Sequence, residues 1–123
     1  MAVYVDDMRA RYRRMVMSHM IADSEDELHA MADKIGVRRK WHQNPGRASS
    51  HYDVCQSMRE LAVQYGAIKI TVRQAAAMVA RRRTTGSLGL PDDAEQWHGQ
   101  QLAARRAHLN EPSNLDHERE QQD

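Results

Sequence analysis

MVMSHMIADSEDELHAMADKIG, residues 15 to 36, decides the fold of this chain. In its first half Met15, Met17, His19 and Ile21 alternate with Val16, Ser18, Met20 and Ala22. Both sets are mostly apolar, the pattern of a strand buried on both faces. Asp23 and Ser24 then break the alternation. SEDE, 24 to 27, is a capping box in which the Ser24 hydroxyl and the Glu27 carboxylate satisfy amides that a first helical turn leaves free. Leu28, Met31, Ala32 and Ile35 follow at the spacing of one helix face, and Gly36 supplies the left-handed stop. A buried strand that passes directly into an amphipathic helix argues for an α/β chain.

Working outward, VYV (3 to 5) reads as a short strand that ends at Asp6 and Asp7, followed by an arginine-rich loop. VRRKWHQ (37 to 43) has polar residues on both sides of its alternation and is expected to be an edge strand. NPGRASS is a loop by composition. HYDV (51 to 54) stands where a strand should hand over to a helix with the face Met58, Leu61, Ala62 and Tyr65. AIKIT is another short strand, and TVRQ (71 to 74) is a second capping box opening a helix through Ala75, Met78 and Val79. The unit helix, glycine, strand occurs twice, through Gly36 and Gly66. The prediction is a small single α/β domain over residues 1–83, with a mainly parallel or mixed sheet of about four to five short strands and three helices. Residues 84–123 are expected to be a polar acidic tail. It is partly helical near 93–109, where Gly99 intervenes and no clean apolar stripe forms, and flexible from Glu111.

The core must be built without phenylalanine: eight methionines and only 5% aromatic residues leave it to aliphatic side chains and thioethers. Such a core leaves room for stabilisation by self-association, so a homo-oligomer is one expectation. No apolar run is long enough to span a bilayer and the N-terminus lacks the order of a signal peptide, which predicts a soluble, cytoplasmic protein with no membrane partner. The lone Cys55 excludes an internal disulfide and a cysteine-built zinc site. The formal charge of +1 conceals a division. Through Leu90, fifteen basic residues outnumber nine acids, whereas from Pro91 onward three basic residues face eight acids. A basic body suggests an anionic small molecule or nucleic acid as partner, with the tail as a mask; the plain alternative is ordinary solubility.

Polar residues collect at strand exits, where open α/β sheets bind ligands. His51 beside Asp53 has the composition of a general base with an orienting carboxylate. The alternative is that Asp53 only caps the next helix and His51 packs. His19 lies within a buried strand, where a hydrogen-bonded core histidine is the default. If His19, His51 and Asp53 converge with Asp6, mixed nitrogen and oxygen donors suit a divalent metal as cofactor. No paired-histidine or cysteine motif specifies one. Arg9 and its neighbours surround Tyr12, while Arg38, Arg39 and Lys40 stand beside Trp41, combinations suited to phosphate contact and stacking. The candidate catalytic residues are therefore His51, Asp53 and His19, and the candidate ligand-binding residues are Asp6, Asp7, Arg9, Arg39, Trp41 and Tyr52. The expected function is binding of a nucleotide-like anion, with metal-assisted phosphoester hydrolysis as the natural chemistry. The alternative is a non-catalytic accessory protein that binds and inhibits or redirects a host protein.

Across residues 2–83 the motifs YVDDMR, MSHMIAD, ELHAMADKIGV, KWH, HYDV and GAIKIT with Arg73 resemble a family of small phage and bacterial proteins known only as a domain of unknown function. The resemblance implies a compact α/β module that keeps positions matching His19, His29, Gly36, His51, Tyr52, Asp53 and Gly66, and often has proline where this chain has Cys55. It implies a shared polar site but no activity.

Overall fold

The computed structural model describes residues 2–110. The chain runs β1 (Val3–Val5), β2 (Ala10–Tyr12), β3 (Met15–Ala22), α1 (Glu25–Ile35), a 3-10 turn (Arg39–Trp41), β4 (Tyr52–Cys55), α2 (Gln56–Gln64), β5 (Ile68–Lys69), α3 (Val72–Thr85) and α4 (Pro91–Leu109). The architecture is α/β with a mixed sheet of five strands. β3 is its spine. Met20 pairs with Val5 on one side and Tyr52 on the other, and Met17 pairs with Ala10 and Cys55 in the same way. β1 and β2 therefore share one edge of β3, and β4 occupies the other. β5 adds to β1, the one parallel pairing among the described residues.

Alternation along β3 sends its two residue sets into two cores. Val3, Val5, Met20, Ala22, Tyr52 and Val54 pack under α1 and α2. Tyr4 and Ile21 pack on the opposite face with Ile70, α3 and Ala94 of α4. Ser24 and Thr71 both cap their helices: the Glu27 amide donates to Ser24 Oγ at 3.2 Å and Thr71 and Gln74 close a reciprocal box, but at Ser24 the box is only half formed, because the Glu27 carboxylate accepts from the Ser24 hydroxyl at 2.9 Å instead of from its amide. The fourth helix is the segment placed at 93–109 in the tail. It lacks an apolar stripe because it buries only Ala94, a contact that asks for little more than one small residue. The flexible stretch expected from Glu111 lies outside the described residues.

Two local expectations are corrected. The arginine-rich loop contains β2, which folds back on β3 through a two-residue turn with Arg13 at φ 57°. Its side chains are mostly exposed, so apolar alternation did not mark it. Residues 37–43 are not an edge strand. Arg38 and Arg39 carbonyls accept from the Trp41 and His42 amides at 3.0 Å, forming the 3-10 turn, and Gln43 alone bridges to His51. A segment polar on both faces gains nothing by lying on a sheet.

Between β1 and β2 the edge is bulged. Val5 faces Met20 and Ala10 faces Met17, so residues 6–9 lie against only Ser18 and His19. Bulges of this kind re-aim side chains. Here the re-aimed group is Asp6.

Candidate functional site

Asp6 is 1% exposed, and its carboxylate replaces the ladder partner that the bulge removes. Oδ1 accepts the His19 amide at 2.9 Å and the Met8 amide at 3.1 Å. Oδ2 accepts from His19 Nδ1 at 2.8 Å. Burial pushes the Asp6 carboxyl up, but these bonds outweigh it and hold its pKa below the ordinary value. The same bond to Asp6 raises the His19 pKa, against the opposing effect of burial.

His19 and Asp53 are direct partners in the β3–β4 pairing, so their side chains emerge on one face. His51, two residues earlier on the segment leading into β4, shares that face. His51 Nδ1 lies 2.7 Å from the Ser49 carbonyl, which only accepts, so Nδ1 carries the proton. Asp6 fixes the same tautomer on His19. With both Nδ1 atoms committed, the Nε2 of each ring faces one oxygen, as an N–H donor when the ring is protonated and as a free lone pair when it is neutral. Asp53 Oδ1 is 3.4 Å from His51 Nε2 and 3.9 Å from His19 Nε2. Its other oxygen accepts from Gln43 Nε2 at 2.8 Å. The contact with His51 lowers the Asp53 pKa and raises that of His51, with burial opposing both shifts. Asp53 does not cap α2: Cys55 is the N-cap residue and makes no side-chain capping bond.

His19, His51 and Asp53 offer donor atoms that all lie within 4.8 Å of one another. A metal about 2.1 Å from each of three tetrahedral donors would set them about 3.4 Å apart. The His51–Asp53 separation already matches. The His19 contact, at 3.9 Å, would have to contract on binding. Two histidines and one carboxylate, each oriented by an outer hydrogen bond, form a donor set for a borderline divalent ion with open positions.

Glu25, His29 and His42 form a second group of potential donors. This group spends its atoms on structure. His42 Nε2 bonds Ser50 Oγ at 2.6 Å and approaches Glu25 at 3.3 Å through the same nitrogen. That rules out a hydrolytic relay, which needs the acid and the hydroxyl on different ring nitrogens. His29 Nδ1 bonds the Tyr52 hydroxyl at 2.8 Å, and His42 stacks on the Tyr52 ring. The network fastens the 37–50 loop and β4 to α1, and so holds His51 and Asp53 in place. Its legible trace in the sequence is the four-residue spacing of Glu25 and His29 on one helix face.

The remaining predicted residues are dispersed. Asp7 caps α3 by accepting the Val72 amide at 2.8 Å. Arg9 is exposed on the bulge. Arg39 pairs with Asp33 at 3.2 Å. Tyr52 is fully buried on the face away from the three donors. Trp41 is exposed and lines a groove that reaches Asp53. Gln43 escaped the sequence reading because its bond to Asp53 depends on the bridge across residues 44–50.

A family model described as a protein of unknown function (DUF4031) matches residues 3–82. The chain belongs to DUF4031. The DUF4031 match takes in Asp6, His19, Gln43, His51 and Asp53 and stops short of α4. No curated protein and no solved structure matches the chain. No helix among the described residues of this DUF4031 member is long and apolar enough to cross a membrane.

Proposed function

We propose that this protein is a divalent-metal-dependent phosphoester hydrolase acting on a nucleotide-like anion, with His19, His51 and Asp53 as metal ligands. The observation that carries the reading is the commitment of both Nδ1 atoms. Asp6 and the Ser49 carbonyl each accept a hydrogen bond from the Nδ1 of one histidine, so both Nε2 atoms are left to converge on a single Asp53 oxygen. A bound ion would polarise the phosphoryl oxygens and acidify a water. Hydrolysis would join the water oxygen to phosphorus and break the ester P–O bond, the water's proton passing to solvent and the leaving oxygen taking one from it. Asp6 keeps His19 in the ligating tautomer, and Gln43 holds the second Asp53 oxygen so that the first stays aimed at the ion.

The test is calorimetric titration of the chelator-treated protein with Mn2+, Co2+ and Zn2+, alongside release of nitrophenol from bis(4-nitrophenyl) phosphate. One ion per chain and metal-dependent turnover are expected, both lost in His51→Ala. Failure of every ion to bind would overturn the metal reading and turn attention to capture of a protein partner. Binding without turnover on this substrate or on nucleotides would leave the centre in place and remove the hydrolase assignment.

A further inference from the structure

β2, the lower half of β3 and β4 carry Tyr12, Met15, Met17 and Cys55 on the same face as Asp53, because each pair sits opposite in the sheet register. α3 and α4 cover this face only around Tyr4 and Ile21. The uncovered half opens into a groove of 820 Å³ that also takes in Arg11, Arg38, Lys40 and Trp41. Tyr12 is 52% exposed and Trp41 56%, and both stand on this groove, whereas the equally exposed Tyr65 does not line it. Each carries a cation on its ring: Arg13 lies 5.5 Å from the Tyr12 centroid and Lys40 5.1 Å from that of Trp41. The groove's charges are three cations and one carboxylate, Asp53, which the reading above assigns to the ion.

We infer that this groove binds single-stranded nucleic acid, with unpaired bases stacked on Tyr12 and Trp41 and the backbone phosphates led past Arg11, Arg38 and Lys40 toward His19, His51 and Asp53. The inference rests on the phosphoester reading and names its substrate class. Exposed aromatic rings beside cations suit bases that have no pairing partner, which a duplex does not offer. A polynucleotide fits better than a mononucleotide because of the spacing. His19 directs its amide and carbonyl toward the β1 edge, so β4 bonds β3 through Tyr52 and Val54, and His51 meets Gln43 on the far side of β4. β3 and β4 therefore separate β2 from the segment that follows Trp41, roughly 14 Å across three strand spacings. One base held between two rings would need them about 7 Å apart. The backbones that carry Tyr12 and Trp41 thus stand farther apart than one stacked base requires, which suits a strand with more than one base.

Fluorescence anisotropy of the full chain with labelled 12-residue dT and rU strands, first in EDTA and then with Mn2+, tests this. Binding is expected in EDTA, weakening with salt at a logarithmic slope of about −2 for three phosphate contacts. Arg38→Ala should make that slope shallower by about 0.7. Trp41→Ala should weaken binding about 5- to 150-fold with the slope unchanged. Equal binding of a duplex, equal competition by AMP per mole, or normal affinity in both variants would each overturn the inference. So would failure of both strands to bind, including the case in which sedimentation shows a dimer that Trp41→Ala dissociates, since a second copy would then own the groove. Oligonucleotide binding in EDTA combined with no metal uptake would sink the hydrolase reading alone. Metal uptake without oligonucleotide binding would sink only the substrate class.

Discussion

Asp6→Asn separates the orienting role of the buried carboxylate from its structural one. Oδ1 accepts two backbone amides, from His19 and Met8, and the asparagine oxygen keeps that position because no other atom of the amide can accept. The amide nitrogen then faces His19 Nδ1, where Oδ2 stood at 2.8 Å. An N–H donor there forces Nδ1 to accept and moves the imidazole proton to Nε2. The fold persists, with a loss of about 1–2 kcal/mol as a charge-assisted bond becomes a neutral one. The metal-binding lone pair is gone. Outer-shell substitutions of this kind reduce metal affinity about 10- to 100-fold, equivalent to about 1.4–2.7 kcal/mol. Two measurements on chelator-treated protein check the chain of reasoning: 15N shifts of the His19 ring, which report the tautomer, and Co2+ titration, which reports affinity. The expected result is a protonated Nδ1 in the native protein, a protonated Nε2 in the variant, and weaker Co2+ binding to match. Native-like Co2+ affinity in a variant whose tautomer has switched would refute the assignment of His19 Nε2 as a ligand.

Three further outcomes follow from other parts of the molecule. The pH dependence of the metal-free protein should be two-sided. His19 and His51 have raised pKa values, so their stabilisation is complete below the ordinary histidine value of 6.5 and disappears as pH climbs through the raised ones. Asp6 and Asp53 have lowered values, so theirs is complete above the ordinary 3.8 and disappears as pH falls through the lowered ones. Their contribution should peak roughly between pH 4 and 6.5 in thermal melts, and Asp53→Asn should flatten the alkaline side; an unchanged alkaline slope would contradict the coupling. Arg82 donates to the Ala48 carbonyl at 2.9 and 2.6 Å and to the Ala22 carbonyl at 2.7 Å, tying α3 to the 44–50 loop. Arg82→Ala should cost about 2–3 kcal/mol in urea unfolding, and a cost below about 0.5 kcal/mol would show that those carbonyls find water without penalty. Gly36 sits at φ 84° with nothing within 4 Å of an added Cβ, so Gly36→Ala should cost about 1–2 kcal/mol from backbone strain alone, measured in the same titration.

Local chemistry made much of the fold readable. Ser24 and Thr71 mark helix starts by bonds to amides three residues away, and Gly36 marks a stop by its own backbone, so neither signal needs the rest of the chain. β3 was readable because both of its residue sets are mostly apolar, although both faces are buried only from Met20 onward and the Met15, Met17 and His19 half stays partly exposed. β2 was not, since its pairing is paid in backbone bonds that arginine and tyrosine make as well as valine does. The 37–43 segment misled for the same reason in reverse: alternation of polar residues carries no information about a face that is never buried.

By itself the sequence determined an α/β chain, the helix boundaries, and a short roster of histidines and aspartates near strand ends. Tertiary structure decided which of them meet. Asp6 and His19 come together because a bulge sets four residues against two, and His19 meets Asp53 because antiparallel pairing sets them opposite one another. Tyr52 leaves the site by the same alternation that keeps His51 and Asp53 in it. Register and bulge are properties of two strands at once, with no signature in either strand alone; a slip of one residue would exchange Asp53 for Tyr52 and dissolve the centre.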